Sequence, residues 1–443
     1  MNNSLVNIFR IPELKKRLLF VLGMLFVFRL GTHIPTPGID THVMNSLISS
    51  QSGGLLGFLD MFSGGALRNF TIFALGIMPY ISASIILQLL TAVIPALEAL
   101  SKEGDAGRKK ITQYTRYLTV AICAVQSFGI TFWLKSVAIG GMQLVPHFSL
   151  FFQITTVLTL TTGTIFLMWL GEQMTEHGIG NGMSILILAG ILASIPGQFL
   201  SMASLWKAGS INLFQILSFV VIMLALTALA VVSQQSFRKI PVQYAQRIVG
   251  RKIYRGQSTN LPLKVDYSGV IAVIFASSVM ILPAMIAKFF ERPGQTGVTA
   301  AILNGIQAWL APGAPVYLLF YIALIIFFCY FYTAISFNPN DLAENMKKNG
   351  GFVPGIRPGK PTADYINDIL THITLGGALM IVLIAVIPDM FGRVFDIGFY
   401  FGGTTILIIV GVALDTVSQI ESHLLMRHYD GFMKTGKIRG RRG

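Results

Sequence analysis

Charge is what this sequence lacks. Only 12% of its 443 residues are Asp, Glu, Lys or Arg, against 53% that are hydrophobic. A soluble domain carries about 25% charged residues, so the composition excludes an ordinary soluble protein and points to an integral membrane one. Cysteine is nearly absent: Cys123 and Cys329 are the only two, both inside apolar runs, and no disulfide framework is supported. Acids are missing from the middle of every apolar run. Arg29, Lys135, Glu172 and Lys288 sit near run ends, where long side chains can reach the interface. Ion coupling needs an ionisable group inside the membrane, and a charged filter needs a ring of them, so both a charge-coupled transporter and a charge-selective ion channel are disfavoured. The Gly-rich stretch at 350–362 is no phosphate loop, because Pro361 follows Gly359-Lys360 where Ser or Thr is required. No metal-ligand cluster stands out. The expectation is no metal, no cofactor and no enzyme.

What the sequence does contain is ten apolar segments of roughly bilayer length: 18–34, 72–93, 116–136, 149–170, 182–202, 211–232, 268–288, 315–336, 370–388 and 398–417. They are continuous runs and not the alternating ten-residue strands of a barrel, so the fold class is an all-α polytopic membrane protein. Ten spans put both termini on one side. The tails and the loops 94–116, 171–181, 233–266 and 337–369 on that side hold 26 of the 33 Lys and Arg residues, and the positive-inside rule makes it the cytoplasm. Loop 171–181 has no Lys or Arg and is placed by alternation alone. The N-terminus reads as a basic amphipathic lead-in to the first span, not a cleaved signal. Loops 233–266 and 337–369 are long for connectors and are expected to project as basic hairpins. Their charge would attract ribosomal RNA, an acidic protein surface or anionic lipid.

One element is half-length. In "GGLLGFLDMFSGGALRNF" (53–70) the apolar core Leu55–Phe62 is too short to cross a bilayer, and glycine pairs bracket it as swivels. Asp60 and Arg68 are expected on its polar edges, facing water. Spans 2 and 7 are rich in small and polar residues, among them Ser82, Ser84, Gln88 and Thr91 in the first and Ser277 and Ser278 in the second. Such residues serve ordinary helix packing, or a helix pair that must part and re-close. Gly182-Met183-Ser184-Ile185 loosely echoes an intramembrane serine protease, which needs a histidine base within reach. His177 and His372 are the nearest candidates. A small-solute secondary transporter with inverted repeats is the other alternative.

Several long stretches carry a more specific signal: "IPTPGID" (34–40), "MFSGGALRN" (61–69), "IFALGIMPYISASIILQLL" (72–90), "EGDAGRKKITQYTRY" (103–117), "MWLGEQMTEHGIGNG" (168–182), "QSTNLPLKV" (257–265), "FNPNDLAENMKKNGGFVPGIRPGKPTADYI" (337–366) and "FYFGGTT" (399–405). In this order they resemble the SecY family, the central subunits of bacterial protein-conducting channels. The resemblance implies two inverted five-helix halves around a pore. The first, 1–205, would hold spans 1–5 and a re-entrant plug at about 55–69; the second, 206–443, spans 6–10, the basic loops and the basic tail. It implies a pore ring of Ile77, Ile81, Met183, Ile187, Ile274 and Ile408. The plug would present Leu55, Leu56, Phe58, Leu59, Met61 and Phe62. A lateral gate between spans 2–3 and 7–8 would include Ser84, Gln88, Gln126, Ser277 and Ser278. Cytoplasmic partners would dock at Arg251, Lys252, Arg255 and Arg357. The partners implied are SecE- and SecG-type small subunits, a SecA-type motor ATPase, the ribosome, secretory and membrane-protein substrates and anionic lipids, all at the bacterial plasma membrane. The i,i+4 spacing of Ile77/Ile81 and Met183/Ile187 independently puts each pair on one helix face. Met183 departs from the branched aliphatic type and is more flexible. Ala272 stands where bacterial relatives often have proline.

Overall fold

The computed structural model describes residues 11–50, 55–136, 138–139, 142–145, 148–244, 247–249, 252–254, 258–290, 305, 309, 314–394 and 402–435. It is mostly helical. In chain order run α1 (Pro12–Gly31), α2 (Thr41–Ser50), α3 (Leu55–Phe62), α4 (Met78–Val93), α5 (Pro95–Lys102), α6 (Asp105–Ser136), α7 (Leu150–His177), α8 (Gly182–Lys207) and α9 (Leu213–Gln235). After a strand region come α10 (Gly269–Phe290), α11 (Pro315–Ser336), α12 (Pro339–Lys348), α13 (Lys360–Val394) and α14 (Gly403–Thr435). Helix starts follow local chemistry. Proline opens α1, α4, α5 and α11, where its missing N–H costs nothing. Asn181 caps α8 by accepting from the Met183 and Ser184 amides, and Ser149 caps α7 through the Phe152 amide.

Among the described residues seven helices are long and apolar enough to cross a membrane, or eight if α4 and α5, bent by 100° at their junction, count as one. Helix α1 falls outside this group: it carries Glu13, Lys15, Lys16 and Arg17 in its first turns and Arg29 in its last. Helix α10, Gly269–Phe290, is 22 residues long and carries one charged residue, Lys288. Some expected bounds move. Helix α7 continues to His177, so the loop expected at 171–181 shrinks to 178–181. Span 2 begins as helix only at Met78; residues 72–77 form turns instead. The boundary expected after 205 lies inside the last turn of α8, which ends at Lys207.

The helices pack in two sets. In the first, α1 contacts α7 and α8, α4 contacts α6 and α7, and α7 also lies against α6 and α8. In the second, α9 contacts α13 and α14, α10 contacts α11 and α14, and α13 also lies against α11 and α14. The sets meet along two seams, α4 and α6 against α10 on one side and α8 against α14 on the other.

Strands β1 (Ala138–Ile139) and β2 (Met142–Gln143) pair with each other between α6 and α7. The two basic loops are not separate projections. Strand β3 (Phe237–Tyr244) pairs antiparallel with β6 (Ser258–Lys264), in register Phe237↔Lys264 to Gln243↔Ser258. Between them β4 (Arg247–Val249) pairs with β5 (Lys252–Tyr254). The other edge of β3 takes β7 (Gly351–Phe352) from the second loop, giving one sheet of order β6-β3-β7. Ile240, Val242 and Leu263 turn one face of this sheet onto Met346 of α12, Val353, and Ile366 and Leu370 of α13. The alternation turns Lys239 and Lys264 to the other face; Arg238, in register with Leu263 at the start of β3, is exposed, as are Lys347, Lys348 and Arg357. The all-α expectation is therefore corrected by a small β-unit that joins the two loops. Leu263 is fully buried in it. Leu263→Ala should cost a few kcal/mol of local stability and speed trypsin cleavage of these loops in membrane vesicles about tenfold or more; an unchanged rate would mean that the two loops do not fold as one unit.

Candidate functional site

Two cavities approach one another along the helix axes. The inner one, about 690 Å³, opens at the end that carries the basic loops. Helix α4 gives it Tyr80, Ile81, Ser84 and Gln88, α6 gives Arg116, α7 Glu172, α8 Met183, Ser184 and Ile187, and α10 Ile274. The outer one, about 590 Å³, is lined by Arg29, Thr32 and His33 of α1, by Asp60, Met61, Gly64, Gly65 and Arg68 of the half-length segment, and by Ser194, Gln198, Ser201 and Ser204 of α8. Along α8, Ile187 lines the inner cavity and Ala193 the outer. Six residues of helix rise about 9 Å. The barrier between two wet chambers is thus thin, and it is apolar: Gly190 and Ile191 are buried within it.

Ile81, Met183, Ile187 and Ile274 line the inner cavity at this barrier. Ile77 and Ile408 are buried in the same hydrophobic cluster. Ile77 is the N-cap residue of α4, and the Ile81 amide donates to its carbonyl at 3.1 Å, so the pair keeps its one-turn spacing. Met183 leans onto α7, where its sulfur takes the space that a Cβ on Gly171 would need. Ala272 is fully buried in the cluster.

The half-length helix α3 sits beneath this barrier. Met61 and Phe62 join the cluster that holds the isoleucines, while Leu56 and the partly buried Leu59 join a second cluster with α2 and α6. The side chains of Leu55 and Phe58 lie outside the described residues. Seating is by backbone: a Cβ on Gly190 would stand 3.2 Å from both the Gly64 nitrogen and the Phe62 carbonyl oxygen. Arg29 of α1 donates to the Gly64 carbonyl at 2.9 Å, and Thr405 of α14 reaches the Met61 sulfur at 3.6 Å. Two expectations change. Asp60 does not face water; it is 7% exposed and accepts from the Arg68 amide at 2.8 Å. Gly64 and Gly65 are not free swivels, because at φ +73° and +83° they form a tight turn in which the Gly65 amide donates to the Asp60 carbonyl. Gly53 and Gly54 lie outside the described residues.

The expected polar gate residues are not gathered on the α4–α10 seam. Among the described residues, Ser278 alone of these reaches across, with its hydroxyl 3.9 Å from the Met78 sulfur. Ser277 donates to the Val273 carbonyl and lies 3.4 Å from the Tyr321 hydroxyl of α11. Ser84 accepts from Gln88, and this pair faces the inner cavity. Gln126 is buried on α6. Each hydroxyl on α10 finds a backbone carbonyl four residues back, so the helix satisfies its own polar groups and leaves the seam apolar. Helices α10 and α11 are joined more firmly, by Phe275 edge-on to Phe328 and by Ser268 donating to Cys329.

The other seam holds a feature that sequence reasoning missed. The Gly180 amide donates to the Gln419 side chain of α14 at 2.8 Å, and Ile179 is buried with Leu14 against Ile420 and Leu424. The run "HGIGNG" was its only signal in the sequence. Of the docking residues, Arg357 is exposed in a turn closed by Thr362 donating to its carbonyl. Arg251 and Arg255 lie outside the described residues, as does the side chain of Lys252 on β5. The protease reading gains no support: His177 packs at a tilt against Phe20 and His372 engages the Asp368 carbonyl, and among the described residues no hydrogen bond brings either to Ser184.

Comparison with known proteins matches residues 71–417 to the family model described as SecY. The chain is 48% identical over 429 residues to the protein translocase subunit SecY of Escherichia coli strain K12, covering 97% of this chain and 96% of that one. Its fold is similar to a solved protein-conducting channel, with a TM-score of 0.65 at 17% identity over 93% of both chains. It is also similar to the channel in a canine ribosome-channel complex from the endoplasmic reticulum, with a TM-score of 0.61 at 17% identity over 93% of both chains.

The Gly190–Gly64 contact leaves no room for a side chain. Gly190→Leu should overpack it by about 1–3 kcal/mol and raise the resting ion conductance of the reconstituted channel about tenfold; a conductance equal to wild type would show that α3 does not need this seat.

Proposed function

The chain belongs to the SecY family and forms a protein translocation channel; we propose that ten helices in two inverted halves surround its pore, that an aliphatic ring seals the waist, and that α3 plugs it from outside. The observation that carries this reading is the pair of cavities divided by a thin apolar barrier on which isoleucines from α4, α8 and α10 converge. The two packing sets support the halves. With α1, α4, α6, α7 and α8 as spans 1–5 and α9, α10, α11, α13 and α14 as spans 6–10, most contacts of the first set recur in the second: 1 with 4 and 5, 2 with 3, 4 with 3 and 5.

A narrow apolar waist excludes ions by dewetting. Aliphatic side chains form no specific bonds with a passing polypeptide, so the ring closes around many sequences and traps none. A secretory chain enters the inner cavity, displaces α3 and leaves through the outer cavity. A transmembrane segment leaves sideways between α4 and α6 on one side and α10 and α11 on the other. The α4–α10 seam suits this, because it has little polar bonding to lose. Driving force comes from partners docked on the basic β-unit and its turns, a translating ribosome or a SecA-type ATPase, with SecE- and SecG-type subunits and anionic lipid around the helices. The setting is the bacterial plasma membrane with both termini in the cytoplasm.

Ile81→Ser combined with Ile187→Ser should wet the waist and give the purified, reconstituted channel a standing ion conductance; a tight double variant would remove the ring. Arg357→Glu should abolish motor-driven export of a secretory precursor while leaving the protein folded and inserted, and export at the wild-type rate would remove the docking role of that turn.

A further inference from the structure

The strongest unassigned feature is a carboxylate buried inside the plug segment. Asp60 stands near the end of α3 with its side chain only 9% exposed. One carboxylate oxygen accepts from the Arg68 amide at 2.8 Å, and the other lies 3.5 Å from the Arg68 Nε. The Asp60 carbonyl accepts from the Gly65 amide at 2.9 Å and from the Ser63 hydroxyl at 3.0 Å, and that hydroxyl in turn accepts from the Leu67 amide at 3.2 Å. Helix and following loop are thereby closed into one ring of bonds that begins and ends at Asp60. Beyond it the chain is anchored: Phe70 is fully buried at φ +41°, and its carbonyl accepts from the Thr36 amide at 2.9 Å.

We propose that Asp60 and Arg68 form an electrostatic latch that makes residues 55–68 move as one body, and that breaking it loosens the plug. This rests on the plug reading above. The latch faces the outer cavity, so the solution outside the membrane reaches it and the cytoplasm does not. The charged and titratable groups lining the same cavity are Arg68 itself and, from α1, Arg29 and His33; α8 contributes no charged or titratable residue to it. Burial pushes the Asp60 carboxyl up, opposed by its bonds to Arg68. A carboxyl that binds its proton more tightly when seated than when released is not freed by acid, so the latch is opened by loss of a bonding partner and not by protonation. Arg68 is half exposed, which screens the pair and keeps the effect modest.

The test is resting ion conductance of the channel, purified with its small subunits and held in planar bilayers. Asp60→Asn and Arg68→Gln should each raise it roughly fivefold, and the double variant no further than the larger single, because both break one latch. Acidifying the external solution from about pH 7 to about pH 4.5 should not raise wild-type conductance. Additive singles, or a wild-type conductance that rises with external acid, would overturn the latch. Triggering by a signal peptide confirms that each variant is folded. Deleting residues 55–68 separates the readings: a tight deletion removes the plug itself, whereas a leaky deletion beside a tight Asp60→Asn removes only the latch.

Discussion

A barrier that must stop ions without holding on to a polypeptide has to be closed by apolar contact alone. That constraint accounts for most of what surrounds the waist. The isoleucines on α4, α8 and α10 supply surface and no hydrogen bonds, and the residues between the two cavities span about 9 Å of α8. So thin a seal leaks if its parts shift, and the segment of α3 and the turn after it is accordingly fixed by close backbone contact with α8 and by bonds to α1 and α14.

The two seams between the helix sets differ in a way that suits this task. On the α4–α10 side, hydroxyls bond their own helix backbone or α11, and among the described residues one long serine–methionine contact crosses. On the α8–α14 side a backbone amide is tied to Gln419 and a buried isoleucine is wedged between helices from both sets. A hydrogen bond whose partners lose water on parting is expensive to break, whereas an apolar seam facing lipid exchanges one apolar neighbour for another. Separation therefore costs less at α4–α10. The polar residues of spans 2 and 7 matter less as glue across the α4–α10 seam than as the wall of the inner cavity and the link between α10 and α11.

The basic loops follow the same economy of contact. Their charges are solvent-exposed because the alternate residues are used to bury one face of a small sheet on α12 and α13. A partner meets a folded basic surface and not two floppy hairpins, so less ordering is needed when it docks.

How much of this was legible beforehand follows from the range of each interaction. Hydropathy runs and the charge asymmetry of the loops are local in the chain, so the membrane class, the approximate spans and the basic side were readable directly. Family motifs carried the ring, and the i,i+4 spacing of Ile77/Ile81 and Met183/Ile187 agreed with it because helix geometry repeats locally. Asp60 was misjudged as a water-facing edge, since the residue that buries and bonds it lies eight positions away across a turn. The joining of loops 233–266 and 337–369 by β3 and β7, the Gly190–Gly64 seat and the Gly180–Gln419 tie were invisible for the same reason. Sequence by itself determined which solvent each segment prefers, because burial energy scales with the composition of the segment. Only the tertiary structure decided which polar groups find partners, because that depends on chain ends of contacts far apart in sequence meeting within about 3 Å.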